Sequence, residues 1–177
     1  LDIFKIWQGG MSFHGALIGI VLGTYLFAKR VKINLFFFLD VVASVAPIGI
    51  FFGRIANFIN SELYGKPSNF FWSVIFPKVD KIPRHPSQLY EAILEGAILF
   101  IVLISIIYKR ETKIGIVSAF FMILYGFFRI LVEQFREPDI QIGYLFDLFS
   151  MGSILSFFMI LIGVFILKKA TNNEFIK

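Results

Sequence analysis

Cysteine is absent from this chain of 177 residues, which excludes a disulfide framework, a thiolate zinc site and a cysteine nucleophile of its own. Histidine is almost as scarce: two residues are too few for a histidine-built metal site, and no HExxH pair occurs. No metal and no cofactor is therefore expected. Charge is thin, with Asp, Glu, Lys and Arg making up 16% of the chain, against about 25% in a soluble domain. The formal charge is +5, but the basic residues bracket apolar runs instead of forming a patch, so nucleic acid is not an expected partner. There is no internal repeat, no low-complexity stretch and no signal-peptide pattern. The chain opens at Leu1 with no initiating Met, and the expectation is that an N-terminal part precedes it.

What is present is apolar. Hydrophobic residues make up 58%, 24 of the residues are Phe, and the mean hydropathy is +0.81. The class this predicts is an all-α polytopic membrane protein. A spanning helix needs roughly 20 largely apolar residues, and five stretches qualify: Met11–Ala28, Asn34–Phe52, Leu89–Tyr108, Ile114–Val132 and Gly143–Leu167. Helices are the choice because an open strand leaves its backbone unpaired in lipid. Basic residues set the direction. Lys29, Arg30 and Lys32, then Lys109, Arg110 and Lys113, then Lys168, Lys169 and Lys177 all fall on one side if the spans alternate. That side is cytoplasmic by the positive-inside rule. The chain is read as a single transmembrane domain over 1–177. Residues 53–88 form its one long outer excursion, whose Pro, Asn, Trp72 and several Phe suggest a small cap at the interface.

On that map the unusual polar residues converge. His14 enters the first span. Arg54, Asn57, Asn60 and Glu62 follow the second. His85, Gln88, Tyr90, Glu91 and Glu95 surround the start of the third, Tyr125, Arg129 and Glu133 lie on the outer half of the fourth, and Asp139 and Asp147 flank the fifth. Charges inside a membrane cost about 2.5–3.5 kcal/mol each at a helix centre and are retained beside partners, water or a ligand. Tyr125, Arg129, Glu133 and Glu137 are spaced by four and predict one polar stripe on a helix, with Arg136 nearby. Arg129–Glu133 as a self-neutralising i,i+4 pair is the plainer alternative. Arg54 offers a second guanidinium on the same side, and two forks suit a phosphate. Its plainer alternative is snorkelling to headgroups. His14, framed by glycines, has the side chain suited to moving a proton near neutral pH; a structural hydrogen bond is the other reading. Ser12 can be an N-cap. His85-Pro86-Ser87-Gln88 reads as a helix start with Pro86 near its first position. Asp40 and Pro47 read as a partner for another helix and a kink.

The ordered set Gly10-Met11-Ser12-Phe13-His14-Gly15, Gly53-Arg54-Ile55, Asn57-Phe58-Ile59-Asn60, Glu62-Leu63, His85-Pro86-Ser87-Gln88-Leu89-Tyr90-Glu91 and Tyr125-Gly126 with Arg129, Glu133, Arg136, Pro138 and Asp139 resembles the bacterial prolipoprotein diacylglyceryl transferase family. The resemblance covers nearly the whole chain. It implies a seven-helix fold with an outer head, of which these five spans are the last five. It implies transfer of the sn-1,2-diacylglyceryl group of phosphatidylglycerol to the lipobox cysteine of a prolipoprotein signal peptide, releasing glycerol 1-phosphate, in the bacterial cytoplasmic (inner) membrane. Ala16, Ala56 and Ser61 stand where the family has glycines, and Ser153 where it often has glutamine.

With that chemistry, the expected catalytic set is His14, Arg54, Arg129 and Tyr125. Arg54, Asn57 and Arg129 are expected to bind phosphatidylglycerol, with Asn60, Glu62, Glu133 and Arg136 in support. Glu133 and Glu62 are the expected holders of the guanidiniums. The competing class is a transporter or lipid-binding subunit with an outer-leaflet anion site. Transporters tend to place their sites near the midplane and between repeats, neither of which the sequence suggests.

Overall fold

A computed structural model describes residues 13–109, 112–137, 144–145 and 149–172, with side chains described for 19–109, 112–137 and 152–172. Helix α1 spans Phe13–Val31, ending on Lys29 and Arg30, whose cations suit a helix C-terminus. Lys32, at φ 57°, turns the chain. The Asn34 side chain then accepts the Phe36 amide at 2.8 Å, capping α2, Leu35–Asn60.

This second helix is longer than its apolar run predicts. The expected span ended at Phe52, but α2 continues for two more turns through Arg54 and Asn57 to Asn60. The apolar pattern stops where polar side chains begin; the backbone hydrogen bonds do not. The expected outer excursion of 53–88 is therefore shorter, because its first residues are helical and Ser87 already begins the next helix. Pro47 lies inside α2 without ending it. Ser61 closes the helix at φ 63°, in the left-handed region where glycine is least strained. Ser61 is one of three positions, with Ala16 and Ala56, where the resemblance implies a glycine.

The connection 61–86 folds back on itself. Strands β1 (Val74–Ile75) and β2 (Pro83–Arg84) pair antiparallel. Gly65 donates to the His85 carbonyl at 3.0 Å, and a Cβ there would meet that oxygen at 2.4 Å, so the close approach requires glycine. Arg84 is the hub: Nη2 lies 2.7 Å from Asp80 Oδ2, Nη1 lies 3.2 Å from Glu137 Oε2, and the guanidinium stands 4.9 Å from the Tyr64 ring.

The next span, Ser87–Ile107, is continuous but not uniform. Helix α3 (Ser87–Glu91) passes into a π-helical stretch, Ala92–Ile98, and then α4, Leu99–Ile107. Its start is structural, as the sequence suggested, although Pro86 sits at the cap position. Ser87 Oγ donates to the Leu63 carbonyl at 3.1 Å and Gln88 Nε2 to that of Glu62 at 2.6 Å. Helix α5 covers Ile116–Glu133. Asp40 of α2 caps it from outside, accepting from the Gly115 amide at 2.7 Å and the Ser118 amide at 2.8 Å. That is the partner expected of Asp40. Strands β3 (Tyr144–Leu145) and β4 (Phe149–Ser150) pair, and α6 runs Met151–Thr171.

Four of these helices are long and apolar enough to cross a membrane: Leu35–Asn60, Ser87–Ile107, Ile116–Glu133 and Gly152–Thr171. The chain is a helical, multi-pass membrane protein. Its perimeter exposes Phe52, Ile101, Phe158 and Phe165, while Ala43, Leu99, Leu103 and Val117 form a small core between α2, α4 and α5. In lipid, helices gain little from hiding apolar surface, so close packing matters more. Glycines supply it. A Cβ at Gly126 of α5 would lie 2.7 Å from the Ser156 carbonyl of α6, and one at Gly96 would lie 2.7 Å from Phe51 Cβ of α2.

Candidate active site

The polar residues that converge in sequence meet at one end of this bundle, where α2, the span from Ser87 and α5 come together. Glu91 is their centre. Its side chain is fully buried, and its two oxygens are divided between helices. Oε2 lies 2.9 Å from Arg54 Nε of α2, and Oε1 faces Arg129 Nη1 of α5. Arg136, just past α5, brings Nη1 within 3.6 Å of the same Oε1. Three guanidiniums thus surround one carboxylate.

Glu95, one turn further along, is also fully buried. Its oxygens stand 3.7 Å from Arg54 Nη2 and 3.9 Å from Arg129 Nη1, and neither makes a hydrogen bond. Its attraction to the arginines is through space. Residues four apart on a helix share a face, so Glu95 lies on the side of Glu91. The stretch that carries it is π-helical, with the amide of Leu99 reaching back to the carbonyl of Leu94.

Glu133 completes the set, with Oε2 2.8 Å from Arg129 Nη2. Its carboxylate lies against the first turn of α6, where a Cβ on Gly152 would stand 3.1 Å from both oxygens. A helix N-terminus is a favourable place for an anion. Tyr125 lies one turn below Arg129, half-buried and stacked on Phe121 with centroids 5.7 Å apart.

The structure places the other sequence candidates unevenly. Asn57 is half-buried one turn beyond Arg54 on α2, and Asn60 is exposed at the helix end. Glu62 is exposed, and what it gives the fold is its carbonyl to Gln88. The carboxylates facing Arg54 are Glu91 and Glu95, with Glu133 on Arg129, so the expectation that Glu62 holds a guanidinium is corrected. The reason is directional: Glu62 lies beyond the left-handed turn at Ser61, off the face that carries Arg54. Glu137 is corrected as well. Helix α5 ends at Glu133, so the stripe does not reach Glu137, which pairs with Arg84 instead. Arg136 joins the cluster as the sequence suggested. His14 falls in the first turn of α1, but its side chain lies outside the described residues. Ser12, Asp139 and Asp147 lie outside them too.

Sequence reasoning placed Glu91 and Glu95 on the converging side without giving them a role. A usable signal was there: two glutamates four apart in an apolar span, the same spacing as Arg129 and Glu133. Chemically, the described cluster holds three guanidiniums and three carboxylates. Arg54 and Arg129 share the Glu91 carboxylate, and two part-buried forks gathered on one anion are a geometry that an anionic phosphate can use. Among the described residues no group of three metal-ligating side chains is formed.

Beside the cluster, Tyr90 joins the site to the connection above it. Its hydroxyl accepts the Trp72 indole N–H at 2.6 Å and lies 3.1 Å from His85 Nδ1. The hydroxyl accepts from Trp72 and keeps its own proton, which it can donate to His85 Nδ1 when that nitrogen is unprotonated. Burial also pushes the His85 imidazole below its ordinary value, toward the neutral form this bond requires. Arg84 holds the Asp80 carboxyl below the usual carboxylate range through their side-chain bond.

The family model for prolipoprotein diacylglyceryl transferase matches residues 1–168. A phosphatidylglycerol–prolipoprotein diacylglyceryl transferase of Rickettsia bellii is 51% identical over 171 residues, 96% of this chain and 65% of the relative. Those of Rickettsia felis and Rickettsia akari are 51% and 48% identical over 169 residues, covering 94% of this chain and 65% of each relative. The chain therefore spans a little under two thirds of the length of these relatives. With the family's motifs in order and a match over nearly its whole length, the chain belongs to the prolipoprotein diacylglyceryl transferase family.

Proposed function

We propose that this chain is the larger part of an enzyme that transfers the sn-1,2-diacylglyceryl group of phosphatidylglycerol to the lipobox cysteine of a prolipoprotein signal peptide. In this reading it lies in the bacterial cytoplasmic (inner) membrane with five spans, α1 included. The cluster faces the outer side, beneath a head formed by the connection 61–86. Family membership supports the reading. The observation that carries it is the approach of Arg54 and Arg129, from separate helices, to one buried carboxylate at one end of the bundle.

The chemistry follows from the residues. The donor is an anion already in the bilayer and enters sideways. Arg54 and Arg129 take its phosphate, and Asn57 and Tyr125 orient it. The acceptor thiol has an unperturbed pKa near 8.5, and its thiolate is the nucleophile. His14 removes the proton, helped by the positive field of the arginines. Sulfur attacks the glyceryl carbon bearing the phosphate. The C–S bond forms as the C–O bond breaks, and the electron pair leaves on glycerol 1-phosphate, where the guanidiniums stabilise it. Glu91, Glu95 and Glu133 hold the guanidiniums in register, a positioning role. The reaction asks for no cysteine from this chain, because the nucleophile belongs to the substrate.

The test uses the full-length protein with phosphatidylglycerol and a lipobox peptide, read by mass spectrometry for diacylglyceryl addition at the cysteine. His14→Gln and Arg129→Ala are expected to lower addition severely while still inserting in the membrane. Near-normal lipidation by either removes that residue from the mechanism. Solute flux without a covalent product sinks the transferase reading in favour of a transporter.

A further inference from the structure

Three consecutive rings, Phe70, Phe71 and Trp72, form the tip of a loop in the connection 61–86, and neither the fold nor the proposed reaction uses their outer surface. Phe71 is 92% exposed, Phe70 56% and Trp72 44%. The rings pack on one another: Phe70 stacks on Trp72 with centroids 5.1 Å apart, and Phe71 meets Trp72 edge-on at 4.4 Å. The tip is therefore an ordered apolar knob whose outer surface is open.

Two contacts tie it to the start of a membrane helix. Trp72 Nε1 donates to Tyr90 Oη at 2.6 Å, and Tyr90 lies in the first turn of the span Ser87–Ile107. Phe70 packs on His85, just before that span, with ring centroids 5.4 Å apart. The knob is consequently held against the end of a membrane helix. Apolar surface continues from there, since a 420 Å³ groove lined by Tyr90, Ile93, Leu94, Leu131 and Phe135 runs along the span. Charge points the same way. Lys78 and Lys81 of this connection are exposed, while its Asp80 is tied to Arg84. Aromatic rings with a polar handle settle at the membrane–water boundary, and exposed lysines suit anionic headgroups.

We propose that the Phe70–Phe71–Trp72 tip is inserted in the bilayer interface, anchoring the connection 61–86 to lipid beside the arginine cluster. The occupant of its open surface is the headgroup and upper acyl layer of the membrane. The proposal does not depend on the transferase reading. Anchoring of this kind holds the cap at a fixed height over the site while a lipid enters from the side.

These 177 residues hold no cysteine, so one introduced thiol labels one position once any cysteine elsewhere in the full-length protein is changed to serine. Phe71→Cys and, separately, Lys78→Cys are made in the full-length protein. Each is nitroxide-labelled and reconstituted in vesicles of phosphatidylcholine with phosphatidylglycerol. Collisional access to oxygen, which concentrates in lipid, is compared with access to a water-soluble nickel chelate. The label at 71 is expected to show an oxygen-to-nickel ratio several-fold above that at 78. Equal, water-like ratios at the two positions overturn the proposal. So does protection of position 71 from both reagents, which would mean a protein surface covers it, or lipid access that appears only when a lipobox peptide is added. Because Phe71 is almost wholly exposed, its replacement leaves the packed interior untouched.

Discussion

Glu91 Oε2 lies 2.9 Å from Arg54 Nε, an ion pair that joins two membrane helices through a side chain fully cut off from solvent. The same carboxylate faces Arg129 on a third helix. Removing it leaves guanidiniums without their central partner, and breaking a buried pair this way costs about 3–5 kcal/mol. Glu91→Ala should therefore lower thermal stability by that order in detergent. Glu91→Gln keeps the shape and is expected to fold better, yet to lose at least about 100-fold in transfer, because small misplacements of positioning groups carry that cost. Transfer by the Gln variant at the wild-type rate would mean the arginines keep their geometry without the charge of Glu91.

Arg54 and Arg129 should not tolerate lysine. A lysine keeps the positive charge but loses the planar fork that spans two oxygens. Losing one such donor at a developing anion costs about 10²–10³ in turnover. Arg54→Lys and Arg129→Lys are expected in that range, with normal amounts of inserted protein. Wild-type turnover from either would show that point charge alone suffices.

The glycines divide into two sorts. At Gly96 a Cβ would stand 2.9 Å from Phe51 Cα, and at Gly126 it would stand 2.7 Å from the Ser156 carbonyl. Backbone atoms cannot step aside locally, so Gly96→Ala and Gly126→Ala should each cost about 1–3 kcal/mol through forced separation of helices. Gly49 has nothing within 4 Å of that position, and Gly49→Ala should be silent or slightly stabilising. Melting curves of the three variants in one detergent test the ordering.

His85 makes the connection 61–86 sensitive to acid. Burial lowers its folded pKa, so the folded state holds fewer protons than the unfolded chain as pH falls past about 6.5. The stabilisation is complete above that value and is lost as pH descends toward the lower folded pKa. Protonation also makes Nδ1 a donor, so its contact with the Tyr90 hydroxyl can persist only with Tyr90 accepting. Between pH 7 and pH 5, protection against hydrogen exchange, corrected for the slower intrinsic exchange in acid, is expected to fall more in 61–86 than in α5. His85→Phe should flatten that difference. An equal loss of protection in both regions would assign the effect elsewhere.

Much of the fold is legible in the sequence because its rules are local. Apolar runs of spanning length predict the helices at 35, 87, 116 and 152, and these form. Their ends are less legible. Phe52 closes the apolar run but not α2, because backbone pairing persists after hydrophobicity fades. The last expected span began at Gly143, but α6 begins at Met151. The spacing by four that aligned Tyr125, Arg129 and Glu133 holds within α5 and fails at Glu137, where the helix has ended.

The sequence by itself determined that Arg54, Arg129 and Arg136 cannot be scattered through lipid, that they lie toward one end of the spans, and which family's motifs frame them. Each of these follows from composition, depth and order along the chain. Only the tertiary structure decided which carboxylates face the guanidiniums. Glu62 is near Arg54 in sequence but beyond the turn at Ser61, whereas Glu91 is 37 positions away and in contact. Pairing across helices depends on rotation about each axis and on close approach, here with a π-helical stretch on one side and Gly96 packed against Phe51 on the other. Those quantities are set by packing between segments, which no spacing within a single segment encodes.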